Sequence, residues 1–111
     1  IQELGTILQS KIGVKIVLLN NCFLGMVRQW QELFWNKRYS STPMINPDFL
    51  TIAKAYGINS CRVKVREELP EAIEAMLAGP EAFLLEVEVK PEDNVFPMVP
   101  AGARLDQIRF E

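Results

Sequence analysis

The chain has 111 residues, which suits one domain, and 49% of them are hydrophobic, enough to build a core. Twelve basic and 14 acidic residues give a net charge of −2 without a basic block, so nucleic-acid binding has no electrostatic support. No apolar run is long enough to cross a bilayer, and the first residues form neither a basic nor an apolar targeting segment. These features predict a soluble protein that binds neither nucleic acid nor a membrane.

The chain contains no histidine and two cysteines, Cys22 and Cys61. Without histidine, Ser-His-Asp hydrolysis, a Cys–His mechanism and ordinary zinc chemistry are excluded within this chain. Two cysteines are too few for a disulfide framework, and Cys61 is interpreted as a small buried strand residue. No residue of this chain is assigned a catalytic role.

Helical and strand patterns alternate along the chain. The predicted helices cover residues 1–11, 26–36, 47–56 and 67–78, and the predicted strands cover residues 14–19, 58–65 and 82–89. Helical connections between strands favour a parallel α/β sheet. Three strands make a thin sheet, so we expect at least one more strand before residue 1.

Local signals refine this outline. Asn46 and Pro47 form a good N-cap and first-position pair for the third helix. Residues 86–89 alternate polar and apolar, as an edge or half-exposed strand does. The prolines that follow indicate an extended arm, with a last helical turn near residues 105–108. We divide the chain into a partial α/β domain at 1–90 and a carboxy-terminal arm at 91–111.

Two adjacent amides, Asn20 and Asn21, follow the first predicted strand. Open α/β sheets bind ligands at the carboxyl ends of their strands, and an amide oxygen suits Mg²⁺. The next helix would direct free backbone N–H groups at the same place. A metal diphosphate is a sensible ligand for such a place, although two asparagines can also form only a turn.

Longer motifs follow the asparagine pair: Leu-Gly-Met-Val-Arg-Gln-Trp-Gln at 24–31, Arg-Tyr-Ser at 38–40, Asn-Pro-Asp-Phe at 46–49 and Asn-Val-Phe-Pro-Met-Val-Pro at 94–100. In this order they closely resemble the carboxy-terminal part of the catalytic subunit of acetohydroxyacid synthase, also called acetolactate synthase, over essentially the whole chain. The resemblance implies a three-layer, Rossmann-like parallel sheet with helical crossovers, the thiamine-diphosphate-binding fold. It also implies truncation at the amino terminus, because the family's Gly-Asp-Gly turn, with its metal-binding aspartate, would lie just before Ile1.

The resemblance implies roles for named residues. The side-chain oxygen of Asn21 and the backbone carbonyl of Phe23 would bind Mg²⁺. Residues that would bind the cofactor are Asn20, Leu24, Gly25 and Met26. Residues that would line the substrate and inhibitor channel are Met26, Val27, Trp30 and Phe34, and the tryptophan would contact herbicidal inhibitors.

Two groups on the helix at 26–36 have an alternative interpretation. The stripe of Met26, Trp30 and Phe34 has the spacing of an ordinary core face. The polar residues, Arg28, Gln29 and Gln31, would by default be solvated or contact a loop.

The chain departs from the family pattern at two places. Gly13 replaces a proline that is usual in the family. The stretch of Cys22 and Phe23 varies among members, so side-chain roles do not transfer to it.

The implied chemistry is decarboxylation of pyruvate and carboligation to a second 2-ketoacid, which yields acetolactate, or acetohydroxybutyrate from 2-ketobutyrate, in branched-chain amino-acid biosynthesis. Implied with it are thiamine diphosphate, Mg²⁺, FAD bound mainly by missing upstream domains, a homodimer or tetramer, and a regulatory small subunit. The location would be the cytoplasm, or an organelle in a plant or fungus. This chain alone should be inactive. The alternatives are another thiamine-diphosphate-dependent decarboxylase or carboligase, or a non-catalytic α/β binding module.

Overall fold

The computed structural model describes residues 1–110. Its elements, in chain order, are α1 (Gln2–Ser10), β1 (Lys15–Asn20), α2 (Gly25–Phe34), α3 (Phe49–Ala55), β2 (Asn59–Val63), a 3₁₀ turn (Arg66–Glu68), α4 (Leu69–Leu77) and β3 (Phe83–Glu88). The predicted order of helices and strands is confirmed. Among these residues no helix is long and apolar enough to cross a bilayer.

Contacts divide the chain into two units. The first unit contains residues 1–22 and 45–89, and therefore the whole sheet. The second unit contains residues 23–44 and the segment from Lys90 onward, and therefore α2. The division into a domain at 1–90 and an arm at 91–111 stays a prediction.

The sheet of the first unit has the strand order β1-β3-β2, and both pairs are parallel. Phe83 lies opposite Lys15 of β1 on one side and Asn59 of β2 on the other. The parallel sheet is therefore confirmed, but the expectation of an edge strand at residues 86–89 is wrong, because β3 is central. Of these residues Glu86 is buried, whereas Glu88 and Val89 are exposed. Alternation misled here because Glu86 of β3 is polar yet buried, with only 1% of its surface exposed.

Helices cover the two faces of this sheet. On one face, Ala53 of α3 packs with Ile58 and Leu84, and Leu4 and Ile7 of α1 join them. On the other face, Ala72 and Met76 of α4 pack with Val63 and Leu85. Such a layered arrangement lets each element bury its apolar side. The expected three-layer α/β fold is confirmed.

The cap of α3 differs from the prediction. Asp48, rather than Asn46, is the N-cap, and its carboxylate accepts hydrogen bonds from the Leu50 N–H at 3.3 Å and the Thr51 hydroxyl at 2.6 Å. A carboxylate only accepts hydrogen bonds, and its negative charge is favourable at a helix N-terminus, so Asp48 is the better cap.

The carboxy-terminal segment of the second unit is extended, as expected, but has no helix at residues 105–108. Instead, the Gln107 N–H donates to the Arg104 carbonyl at 2.9 Å in a single turn. Met98 and Arg109 then form an antiparallel bridge through two backbone hydrogen bonds of 3.0 and 2.8 Å. This pairing satisfies the backbone N–H and C=O groups of both residues.

Candidate functional site

Asn20 ends β1, and the first unit uses both ends of its side-chain amide. The Nδ2 group donates to the Glu86 carboxylate at 2.7 Å. The Oδ1 atom accepts from the Cys22 backbone N–H at 3.0 Å and from the Asn46 amide at 2.8 Å. The Asn20 side chain therefore serves a network within the chain, a role that its prediction as a cofactor-binding residue did not include.

The turn after β1 carries Asn21. Cys22 has a φ of 54°, in the left-handed region that only a few per cent of non-glycine residues adopt. The hydrogen bond from Cys22 N–H to Asn20 closes an Asx turn around Asn21 and stabilises this backbone. The side chain of Asn20 thus sets the shape of the turn, and the half-buried Asn21 is the residue that the turn presents.

Beyond Asn20 the network reaches the other two strands and α3. The Glu86 carboxylate accepts from Arg62 Nε of β2 at 2.8 Å, and Arg62 Nη2 also donates to Asp48 at 2.9 Å. The hydrogen bond from Thr51, joined by that from Arg62, lowers the pKa of the Asp48 carboxyl against the opposing effect of burial. The hydrogen bond to Glu86 raises the pKa of Arg62, so this cation stays charged.

Sequence reasoning missed this network. Glu86 and Arg62 are opposite charges at mid-strand positions, and they are direct partners in the parallel register of β3 and β2. That pair of mid-strand charges was the available signal, but its value depends on knowing which strands are neighbours.

In the second unit, α2 begins without a side-chain cap. Its N-cap residue is Leu24, and the first turn, which starts at Gly25, contains no acidic residue. The Leu24 N–H donates to the Thr42 carbonyl at 2.9 Å, and among the described residues the N-cap makes no side-chain hydrogen bond to the N–H groups that follow it. Uncapped N–H groups at a helix N-terminus attract an anion.

One surface of α2 is apolar and exposed. Met26, Val27, Trp30 and Phe34 each expose 43–50% of their surface. A groove of about 400 Å³ in the same unit is lined by Trp30, Phe34, Trp35, Met98, Val99 and Ala101. Among the described residues the stripe is not packed as a core, and its assignment to a substrate channel stays a prediction.

The opposite side of α2 is polar and buried, so the solvated default for Arg28 and Gln29 is wrong. The Arg28 guanidinium lies 5.0 Å from the centre of the Tyr39 ring, 5.7 Å from that of Phe23 and 2.9 Å from the Glu32 carboxylate. The Gln29 amide bonds the Val95 backbone at both ends. Burial is possible because each polar group has a partner.

Glu32 and Tyr39 adjust each other's ionisation in this cluster. Burial acts to raise the pKa of the Glu32 carboxyl, but the hydrogen bond from Tyr39 and the charge of Arg28 outweigh it, and the pKa falls below 4.5. Burial, with the hydrogen bond to Glu32, raises the pKa of Tyr39 above 10.0. The cluster therefore holds Glu32 ionised and Tyr39 neutral at pH 7.

Each of the two units offers a group of a type that binds a magnesium diphosphate. Asn21 offers a hard, neutral oxygen of the type that Mg²⁺ accepts. In the other unit, the uncapped start of α2 offers backbone N–H groups of the type that phosphate accepts. The assignments of Asn21 and the Phe23 carbonyl to the metal, and of Leu24, Gly25 and Met26 to the cofactor, stay predictions.

Comparison with known proteins places this chain among cofactor-binding domains. Residues 1–87 match the family model described as "Thiamine pyrophosphate enzyme, C-terminal TPP binding domain". The acetolactate synthase isozyme 2 large subunit of Escherichia coli is 45% identical over 104 residues, which are 93% of this chain and 19% of that relative. The mitochondrial acetolactate synthase of Schizosaccharomyces pombe is 46% identical over 105 residues, 95% of this chain and 16% of that relative.

A solved structure supports the same fold. The thiamine diphosphate-dependent 4-hydroxybenzoylformate decarboxylase of Rhodococcus jostii superposes with a TM-score of 0.69 at 28% identity, over 78% of this chain and 16% of that protein. This chain spans less than a fifth of the length of the curated relatives described above. By the match over residues 1–87, the chain belongs to the family of carboxy-terminal thiamine-pyrophosphate-binding domains of thiamine pyrophosphate enzymes.

Proposed function

We propose that this chain is the thiamine-diphosphate-binding part of an acetolactate synthase. The reaction is decarboxylation of pyruvate and carboligation to a second 2-ketoacid, either pyruvate or 2-ketobutyrate, in branched-chain amino-acid biosynthesis. The relatives that are 45% and 46% identical carry the name acetolactate synthase, which favours this member of the family.

The observation that carries the proposal is the start of α2. Its first turn has neither a capping side chain nor an acidic residue, so its backbone N–H groups are suited to a diphosphate. Gly25 at the first helical position lets a phosphate approach the backbone closely.

Each part of the chain then has a defined task. When bound, thiamine diphosphate supplies the nucleophilic carbon that allows pyruvate to lose CO₂ and join the second 2-ketoacid. Asn21 would give its side-chain oxygen to Mg²⁺, and the start of α2 would hold the diphosphate. The exposed residues Met26, Val27, Trp30 and Phe34 would form an apolar wall for the substrate and for inhibitors. The chain binds and orients, and no residue of it takes the reacting proton.

The proposal includes partners outside this chain. We propose that it acts with the rest of the synthase, which would bind FAD. The family resemblance implies that this upstream part also supplies an activating glutamate, which engages the aminopyrimidine of thiamine diphosphate. The enzyme would be a dimer or tetramer with a regulatory small subunit. The working location would be the cytoplasm of a bacterium or an organelle of a fungus or plant.

The test is Asn21→Ala in the complete protein that carries this chain. Calorimetric titration of thiamine diphosphate at several Mg²⁺ concentrations should show weaker binding and a higher Mg²⁺ requirement, because one ligand of the ion is lost. Asn59→Ala, an exposed asparagine at the start of β2, is the matched control and should bind like the unchanged protein. Unchanged binding by Asn21→Ala refutes the metal assignment, and no binding by the unchanged protein favours a non-catalytic module.

A related decarboxylase is the second candidate, because the solved structural neighbour is a thiamine diphosphate-dependent decarboxylase. Product analysis with pyruvate separates the two candidates. A synthase yields acetolactate, whereas a simple decarboxylase yields the aldehyde and CO₂. The 111-residue chain by itself should form neither product, because the activating glutamate and the first metal ligand are outside it.

A further inference from the structure

We propose that Glu86 is a positioning residue for the metal site: it fixes the orientation of the Asn20 amide, and Asn20 in turn shapes the turn that presents Asn21. The inference rests on the proposed function, since Asn21 must bind the metal for its position to matter. Glu86 lies in the middle of the central strand and accepts a hydrogen bond from Asn20, the residue before the predicted metal ligand Asn21.

Burial of the Glu86 carboxylate is energetically costly. Its side chain is 2% exposed in the sheet of the first unit, and an ionised carboxylate there requires strong compensation. Apolar replacement of buried ion pairs is often neutral or stabilising, so fold stability alone is a weak reason to keep such a pair. A buried ion pair that adds little net stability is compatible with a task other than holding the sheet together.

The Glu86 carboxylate lies between two hydrogen-bond donors. Asn20 Nδ2 donates to it at 2.7 Å and Arg62 Nε donates to it at 2.8 Å. Both neighbours are donors, so only a group that accepts at both ends satisfies them. Glutamate does this and glutamine does not, because its NH₂ would have to face one of the two donors.

The hydrogen bond to Glu86 fixes the orientation of the Asn20 side-chain amide. With Nδ2 held by the carboxylate, Oδ1 must face the other way, toward the Cys22 N–H at 3.0 Å. That bond stabilises the left-handed Cys22 and thereby the backbone on both sides of Asn21. Asn46 adds a second donor to the same oxygen at 2.8 Å. Glu86 therefore selects one of the two orientations of the Asn20 amide.

Arg62 holds Glu86 in place from the other side. Its guanidinium joins Glu86 to Asp48, the N-cap of α3, and so ties the carboxylate to a rigid element. A fork-shaped guanidinium can hold two carboxylates in fixed directions, which a lysine ammonium cannot do as well. The chain of contacts from α3 to the turn lies wholly within the first unit.

The experiment is a donor–acceptor swap in the complete protein. Glu86→Gln introduces a donor conflict, and Asn20→Asp places two carboxylates face to face. The double variant, Asn20→Asp with Glu86→Gln, restores one donor and one acceptor while keeping the net charge. The readout is the Mg²⁺ concentration that gives half-maximal binding of thiamine diphosphate by calorimetry, and the melting temperature without cofactor is measured beside it.

We expect each single variant to raise the Mg²⁺ half-saturation concentration by about 10- to 100-fold, as loss of a group that orients a metal ligand commonly does. The double variant should return to within about threefold of the unchanged protein, because the two effects are coupled through direct contact. Two controls accompany them. Glu74→Gln is the same substitution at an exposed site on α4, and Met76→Ala lowers the melting temperature by a core cavity alone.

Both controls should leave the half-saturation concentration unchanged. If Glu86→Gln only lowers the melting temperature, as Met76→Ala does, the positioning role is overturned. If Glu86→Gln does not fold, Arg62→Lys is the milder variant, and a half-saturation concentration that does not rise in it overturns the proposal. If Asn21→Ala does not change the Mg²⁺ dependence, the proposed function itself is wrong about the metal ligand. The failure of the proposed function can thus be told apart from the failure of the positioning role.

Discussion

The amide of Gln29 holds the backbone of Val95 at both of its polar groups. Gln29 Nε2 donates to the Val95 carbonyl at 3.0 Å, and the Val95 N–H donates to Gln29 Oε1 at 2.8 Å. Two residues further along α2, Gln31 makes the same pair of bonds to Ser40, both at 3.0 Å. The two clamps differ in burial, because Gln29 is 2% exposed and Gln31 lies at the surface of the cluster.

Gln29→Met should destabilise the protein more than Gln31→Met. The change at Gln29 removes two part-buried hydrogen bonds from the Val95 backbone, which costs about 1–3 kcal/mol. Water can replace the partner lost at Ser40, so the expected cost of Gln31→Met is below about 1 kcal/mol. Urea denaturation of both variants measures the difference. Equal losses would mean that the buried clamp does not hold the carboxy-terminal segment.

Glu32→Gln should flatten the acid side of the stability profile. The folded pKa of Glu32 is depressed below 4.5, so its contribution to stability is present above that value and is lost as the pH falls through the folded pKa. The unchanged protein should therefore lose more of its free energy of unfolding than Glu32→Gln between pH 6 and pH 3. Urea midpoints across this range are the measurement, and parallel profiles would contradict the prediction.

Gly13→Ala should be destabilising, whereas Gly5→Ala should not. A Cβ at Gly13 would lie 1.8 Å from the Pro80 carbonyl oxygen, and Lys15 Nζ bonds the carbonyls of Gly79 and Glu81 on either side of that group. The carbonyl is therefore held in place, and the expected cost is about 1–3 kcal/mol or more.

Gly5 in α1 is the matched control for Gly13. A Cβ there meets only Tyr56 at an ordinary 3.8 Å, and alanine is favoured over glycine in a helix by up to about 1 kcal/mol. Thermal melting should rise slightly for Gly5→Ala and fall for Gly13→Ala. A stable Gly13→Ala protein would show that the loop at residues 79–81 moves aside.

Trp30→Leu in the complete protein separates a channel residue from a packed one. Trp30 is 48% exposed in the structure, so the change should alter stability by only about 0.5 kcal/mol. If Trp30 lines the channel, the same change should strongly weaken inhibition by sulfonylurea-type compounds and shift the preference between pyruvate and 2-ketobutyrate. A large fall in melting temperature with normal inhibition would return Trp30 to a packing role.

The sequence alone predicted the helices and strands, but it did not predict which strands lie next to each other. The β-branched run at residues 14–19 and the helical spacing before it are local signals, and they predicted α1 and β1 well. The position of β3 depends on pairing with distant strands, which alternation within one strand does not encode. Glu86 therefore looked exposed, although the pairing of β3 with β2 sets it beside Arg62 and buries it.

The same limit explains the errors around α2 and α3. Arg28 and Gln29 were expected to be solvated by default or to contact a loop; both are buried, Arg28 lies over the Tyr39 ring, and Gln29 does contact a loop, at Val95. Asn46 was a sound cap by type, yet the oxygen of Asn20 takes up its amide. For Gln29 and Asn46 the deciding contact joins residues far apart in the chain.

The central place of β3 in the sheet bears on how the first unit forms. Among the described strands, β1 and β2 do not pair with each other, and each pairs with β3, which follows both of them in the sequence. Among these three strands, β1 and β2 gain their shared neighbour only when residues 83–88 have left the ribosome. Until then each presents an unpaired side toward it, and unpaired strand edges are prone to aggregation. Loss of residues 83–88 would remove the neighbour of two strands at once, rather than one edge of the sheet.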